Sequence, residues 1–370
     1  MKLGLISLTY FSRGHSKEFL DNLKKHLGDE FKMDLYGYNQ SLNRDGIGVL
    51  DYNSNQKFSA YRKIIRRFFI GLFFYFKIRK NVRKNDINFY ADYEYLSLII
   101  GLLMFSNRNA KNYVWIHSAS TDGNLFYRTY KKVFFGLIKR CNVKGYLVNG
   151  RSTSVELTRI LGEEVRVKVV QYPSEINVQP IEKRTAKEKL KIQNKKVFSL
   201  IGMIRPDKNY EFAIKAFAKA KRRNEARLLI AGALSGVTER ELIDWLKRHN
   251  VTDDVTLKLG YLSEEQLNIC FSSSDALLIP YGQNGSSQSG PLSLARNYQL
   301  PAIVREGGEL ARYVRDNGVG VIATDLVEFT NAIDKLCDNP SKDLQLKLSE
   351  AKANYSWYRA AKEYKEFFHE

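Results

Sequence analysis

From end to end the chain alternates short apolar runs with helix-length stretches, and it does so in two sets separated by a polar break. Runs that suit buried strands fall at 3–8, 86–90, 113–116, 145–148 and 167–170. A second series falls at 197–201, 227–231, 255–259, 276–279, 302–304 and 320–322. Helix-length segments lie between them, as at 16–27, 153–161, 210–221, 238–249 and 263–272. A parallel strand pair needs a crossover, and a helical crossover buries the sheet on both faces. The break at 172–196 holds Pro173, Pro180 and the run EKRTAKEKLKIQNKK, with no sustained apolar period. The expected fold class is therefore α/β, with two Rossmann-like doubly wound domains at 1–172 and 173–345. The last stretch, 341–368, has aromatics at helical spacing in WYRAAKEYKEFF. Residues 346–370 are expected to form a C-terminal helix that packs back across to the first domain.

Charge narrows the class of partner. The chain carries 59 Lys and Arg against 40 Asp and Glu, a formal net charge of +19. Residues 1–170 hold 29 basic and 14 acidic residues, whereas 171–370 hold 30 and 26. The excess belongs to the first half, which suits one functional face toward an anionic partner. Cys141, Cys270 and Cys337 are far apart and cannot all pair, and their spacing matches no zinc pattern. They read as small buried hydrophobes of a reducing compartment. The opening MKLGLISLTYF reads as a first buried strand and not as a secretory leader, and no run of 18 apolar residues occurs. A cytoplasmic location follows as the expectation.

Two loops of the second half carry chemistry. In FSLIGMIRPDKNYEF a strand ends at Ile201, a glycine turn follows, and Arg205 and Lys208 precede a helix near Tyr210. Ligands of open parallel sheets bind outside the carboxyl ends of strands. An arginine fork and a lysine point charge three residues apart suit a diphosphate, although a solvated basic turn has the same composition. The second loop, PYGQNGSSQSGPLSLA, is rich in Gly and Ser and leads into a helix at Pro291. Gln288, Ser289 and Gly290 would precede the helix N-terminus, where free amides attract phosphate. Taken alone, this is equally a capped helix.

Together these segments resemble the nucleotide-sugar-dependent glycosyltransferases of GT-B fold, family four. The resemblance rests on G-x-x-R-x-x-K (Gly202, Arg205, Lys208), LLIAG, LKLGYLSEEQL, SSSDALLIPY, SGPLSLA, LPAIV and GGELARYVRDNGVG, in that order. It implies two domains facing a central cleft and a hexosyltransferase-like, nucleotide-sugar-dependent enzyme. Arg205 and Lys208 would hold the donor diphosphate and stabilise the leaving group. Gly202 and the backbone of Gly260, Tyr261 and Leu262 would also meet the donor, the latter three at its base. Ser286, Ser287, Gln288, Ser289 and Gly290 would face the donor sugar and distal phosphate. Arg13, Gly14 and His15 of the first loop, with Asp122, would lie toward the acceptor; Asp122 would otherwise cap a helix near Asn124. His117, after the strand YVWI, is similar to a family histidine at the donor sugar, and its alternative is a hydrogen-bonded loop histidine. Many relatives carry two glutamates eight positions apart. Here those positions hold Ser286 and Leu294, so a carboxylate on the ribose is not available.

The resemblance further implies retention of anomeric configuration, with the donor phosphate serving as base. Neither a metal nor a cofactor is expected, since no Asp-x-Asp motif occurs and two cations can take the place of a divalent ion. The donor would be a UDP- or GDP-linked sugar. The segment 57–84, KFSAYRKIIRRFFIGLFFYFKIRKNVRK, has ten basic and no acidic residues around an aromatic block too short to span a bilayer. It reads as a face toward an anionic membrane, with an ordinary domain helix as the bland alternative. Nucleic acid is not an expected partner, because no nucleic-acid-binding motif accompanies it. The acceptor would then be a membrane-associated glycan or glycolipid, in lipopolysaccharide, O-antigen or capsule synthesis, with the enzyme peripheral on the inner face of the cytoplasmic membrane. A GT-B epimerase or phosphorylase, or a catalytically silent membrane-bound homologue, remain as alternatives.

Overall fold

The central apolar runs become strands because their β-branched and aromatic side chains are buried on both sheet faces, while the runs at the sheet edges are half-buried. The computed structural model describes residues 1–10, 15–38, 60–107, 109–119, 125–173, 178–192, 194–282 and 289–370. The chain divides into two units, residues 1–171 with 357–370, and residues 172–356.

The first unit runs β1 (Lys2–Ser7), α1 (His15–Leu27), β2 (Lys32–Gly37), α2 (Ala60–Val82), β3 (Ile87–Asp92), α3 (Tyr95–Ile100), β4 (Lys111–Trp115), α4 (Leu125–Ile138), β5 (Gly145–Val148), α5 (Arg151–Leu161) and β6 (Val167–Val169). All pairs are parallel, in the order β2-β1-β3-β4-β5-β6. β2 had no counterpart among the expected strands. It is an edge strand in which only Tyr36 is fully buried, so its sequence lacks the apolar run that marks its neighbours. One sheet face packs Ile70, Phe74, Leu98, Ile99, Phe134 and Leu157 from α2 to α5. On the other face, Phe19 of α1 meets an aromatic group brought by the last helix.

The second unit runs α6 (Lys183–Lys189), β7 (Lys196–Ile201), α7 (Tyr210–Lys219), β8 (Ala226–Gly232), α8 (Glu239–Arg248), β9 (Val255–Leu259), α9 (Glu264–Ser273), β10 (Ala276–Ile279), α10 (Gly290–Ala295), β11 (Ala302–Arg305), α11 (Gly308–Asn317), β12 (Gly320–Ala323), α12 (Leu326–Leu336) and α13 (Lys342–Asn354). Its sheet, again all parallel, has the order β12-β11-β10-β7-β8-β9. From β7 the chain winds outward one way to β9, then returns to β10 and winds the other way. The reversal between β7 and β10 is where a doubly wound sheet leaves a crevice.

The polar break is not plain linker. Glu182 caps α6 by accepting from the amides of Arg184 and Thr185 at 3.0 and 2.9 Å. The helix is held to the sheet by Asp275, which takes Lys187 at 2.7 Å, Lys183 at 3.1 Å and the Val197 amide at 2.9 Å. The single C-terminal helix expected over 346–370 is instead shared between two helices. α13 stays with the second unit, and α14 (Trp357–His369) belongs to the first. There Trp357, Tyr364 and Phe368 join Phe19, Phe89 and Tyr113 in a continuous aromatic cluster. Cys270 and Cys337 are buried in the second unit, and burial raises both thiols to about 11.

Candidate functional site

At the carboxyl ends of β7, β8 and β9 stand Gly202, Gly232 and Gly260, with φ of +115°, +145° and +114°. Three neighbouring strands thus end in conformations that disfavour any side chain. The Gly202 amide donates to Ala231 at 2.8 Å and the Gly260 amide to Gly232 at 3.0 Å, which ties the ledge together. A Cβ on Gly232 would collide with the Gly202 carbonyl, and one on Gly202 would lie 3.0 Å from Pro291 and 3.2 Å from Lys208 Nζ. The result is a floor of bare backbone that runs from β7, at the reversal of the sheet, to β9 at its edge. Tyr261, next to it, is 94% exposed, whereas Leu262 turns into the core.

After Gly202 the chain is pinned by the Ile204 amide on Ala233 O (2.8 Å) and the Ser235 amide on Ile204 O (2.9 Å). Pro206–Lys208 then forms one 3-10 turn, Asn209 takes the left-handed region at φ +55°, and α7 begins. This sharp turn carries Lys208 inward: it is 8% exposed, with Nζ 5.4 Å from the centre of the Tyr281 ring. Burial, helped by the neighbouring Arg205 charge, lowers its ammonium to about 8, with Asp207 opposing. The Arg205 guanidinium pairs with Asp207 at 2.8 Å, and its buried Nε has no hydrogen-bond partner among the described residues. Tyr210 donates to Gly202 O at 3.3 Å, and Tyr281 OH lies 3.4 Å from Ser289 Oγ. Ser289 in turn accepts from the Leu292 amide at 3.3 Å as the N-cap of α10. So Gly202, Lys208, Tyr210, Tyr281, Ser289 and Pro291 form one connected group across the β7/β10 switch point.

α10 has only six residues and its Ser289 hydroxyl already occupies one amide, so it offers far less dipole than a long helix. Ser286, Ser287 and Gln288 lie outside the described residues, as do Arg13, Gly14 and Asp122. His15 opens α1.

The first unit gathers a smaller group at its own switch point, between β1 and β3. His117 Nε2 lies 2.9 Å from Ala91 O, and its ring centre is 4.2 Å from that of Trp115. A carbonyl only accepts, so Nε2 carries the proton and Nδ1 is left as an acceptor. Packing of protein around the ring depresses the imidazole, against the pull of Asp92, which favours the neutral form near pH 7. Asp92 Oδ2 accepts from the Thr9 amide at 3.1 Å and its carbonyl from Leu8 at 3.0 Å. Asp92 was not among the sequence candidates. It sits in YADYEY without a motif, and only the strand order puts it beside β1.

Residues 182–355 match the family described as Glycosyl transferases group 1. The second unit is a group 1 glycosyltransferase domain. No curated protein matches the chain. Among solved structures it is similar over 100% of both chains to HepE from Anabaena in complex with UDP, at 12% identity and TM-score 0.72. It is also similar to sucrose-phosphate synthase from Thermosynechococcus elongatus, covering 100% of this chain and 98% of that one at 14% identity and TM-score 0.71. The apo lipopolysaccharide outer core galactosyltransferase WaaB is similar over 100% and 99%, at 12% identity and TM-score 0.67. The two parallel six-stranded sheets with flanking helices are the GT-B fold of these structures. The chain thus combines a domain that matches the group 1 glycosyltransferases with the GT-B fold.

Proposed function

We propose that the chain moves a sugar from a nucleotide-sugar donor held by the group 1 domain to a membrane-associated glycan or glycolipid, with retention at the anomeric carbon. The observation that carries this reading is the buried Lys208, whose Nζ stands against Gly202, the first of three positive-φ glycines at neighbouring strand ends, with Arg205 beside it. Such a floor lets a diphosphate approach the backbone, and the two cations meet its charge. As the glycosidic bond breaks, negative charge grows on the leaving phosphate, and Arg205 and Lys208 stabilise it there. A phosphate oxygen accepts the proton of the incoming hydroxyl on the same face, so no protein base and no metal are required. His117 Nδ1 accepts from a donor-sugar hydroxyl.

UDP is the first donor base to test, because HepE was solved with UDP and UDP-glucose. A role in lipopolysaccharide, O-antigen or capsule synthesis is supported by the likeness to WaaB and by the cationic first half. The test is hydrolysis of UDP- and GDP-sugars, in the presence of a chelator, with the product anomer read by NMR. We expect an α-linked donor to yield α product. Arg205→Ala or Lys208→Ala should each lower turnover by about 10²–10³ with folding unchanged. Turnover near normal in both variants would reject the assignment.

A further inference from the structure

Two elements of the first unit place large apolar side chains in solvent on adjoining surface. α2 lies so close on α3 that a Cβ on Gly71 would collide with Ser97, and one on Gly101 would touch the Tyr75 ring at 2.9 Å. That contact buries Ile70, Phe74, Tyr75 and Val82 and turns the opposite stripe outward. The stripe is Ile65, Phe69, Phe73 and Phe76, spaced four, four and three residues apart, as one helix face requires. After α3 the chain makes a π-helical turn, Gly101–Phe105, whose Leu103 and Met104 are about as exposed as Phe69, near 60%. Phe105 packs edge-on to Phe76 at 6.3 Å. Arg83, just beyond α2, donates to Met104 O at 2.9 Å and to Phe105 O at 3.3 Å, which fixes the turn beside the aromatic stripe. Singly exposed apolar residues are ordinary, but a joined group of this size marks a contact surface.

We propose that this face of α2 and the π turn is a docking surface for a bilayer containing anionic lipid, with Phe69, Phe73, Phe76, Leu103 and Met104 entering the acyl boundary. The inference deepens the proposed membrane-associated acceptor and rests on it for its purpose. Charge decides the occupant. Arg62, Arg66, Lys77, Arg79, Lys80, Arg83 and Lys84 surround the stripe, and residues 57–85 contain no carboxylate. Lys77 lies over Phe73 at 5.1 Å and Arg79 over Phe76 at 3.6 Å, so these two rings each carry a cation at the face. An apolar plane rimmed on both sides by cations matches acyl chains beneath phosphate headgroups. Among the described residues no helix is long and apolar enough to cross a membrane, so this contact is parallel to the surface.

The experiment is co-sedimentation of the full chain with phosphatidylcholine vesicles, with and without phosphatidylglycerol, at low and high salt. Binding should favour the anionic vesicles at least tenfold and weaken with salt. Phe69→Ser/Phe73→Ser and, separately, Leu103→Gln/Met104→Gln should each weaken it about tenfold or more, with unchanged thermal unfolding. Equal binding to both vesicle types, or wild-type binding by both double variants, would overturn the proposal. So would a dimer in solution that both double variants dissociate, since the face would then join two copies. Hydrolysis of a nucleotide sugar by water is measured in the same variants. Its absence from the native chain would remove the enzymatic reading while leaving vesicle binding to stand or fall alone.

Discussion

Lys208 is a lysine held over an aromatic ring, with no carboxylate within its own turn except Asp207, which pairs with Arg205 instead. Its depressed ammonium, at about 8, has two consequences. The folded pKa lies below the ordinary lysine value, so folding is opposed while the group is charged. Stability contributed at this site rises with pH from about 8 to about 10.4. On the proposed function, a diphosphate bound there would supply the missing anion and raise the ammonium again, so binding would take up a proton. Calorimetry of UDP binding at pH 8.5, in buffers of different ionisation enthalpy, should show uptake of about three-quarters of a proton; Lys208→Arg should show none. Tyr281→Phe keeps the ring and should preserve the uptake, whereas Tyr281→Leu should reduce it and weaken UDP about tenfold. Uptake that survives Lys208→Arg would place the proton elsewhere. Arg205 and Lys208 were visible in the sequence as a motif. Tyr281, Gly232 and Asp92 were not singled out, because each gains its role from a strand neighbour distant in the chain.

At the scale of elements, legibility followed burial. Strands with continuous apolar runs stood out, while β2 and α6 did not, for they present mainly half-buried or charged positions. The amphipathic character of α2 was plain in its sequence, but which stripe faces the core depends on Gly71 meeting Ser97. α6 is kept in place by an ion pair more than by apolar contact, since Ala186 is its one buried residue. Burial alone would raise the Asp275 carboxyl, but Lys183, Lys187 and the Val197 amide outweigh it and hold it below the ordinary aspartate range. A depressed carboxylate lends stability that is full above the unfolded value of about 3.9 and is lost as pH falls through the folded one. Asp275→Asn should therefore cost about 2–3 kcal/mol at pH 7 by chemical denaturation. The gap from the native chain should narrow below about pH 4. A gap independent of pH would mean that packing, and not the ion pair, holds α6.

At the scale of the molecule, the chain leaves its first unit at Gln171 and re-enters it at Trp357. A sequence reader sees that a terminal aromatic helix must bury itself somewhere, but not that Tyr355 and Ser356 divide it and that only the later part returns. Removing residues 357–370 takes Trp357, Tyr364, Phe367 and Phe368 from the first unit, all buried. At about 2 kcal/mol or more for each ring, the loss is comparable with the whole stability of a domain. A chain ended at Ser356 should keep the cooperative unfolding of the second unit, while residues 1–171 bind a hydrophobic dye and are cut readily by protease. Protection of both halves would show that α14 is dispensable. The shared helix also sets an order of events during synthesis. Residues 1–171 emerge first yet wait through the making of an entire second unit before their missing wall arrives. The half with the cationic aromatic face is thus the last to close, and a ribosome that stalls anywhere in the second unit releases a chain whose first unit stays open to chaperones and proteases.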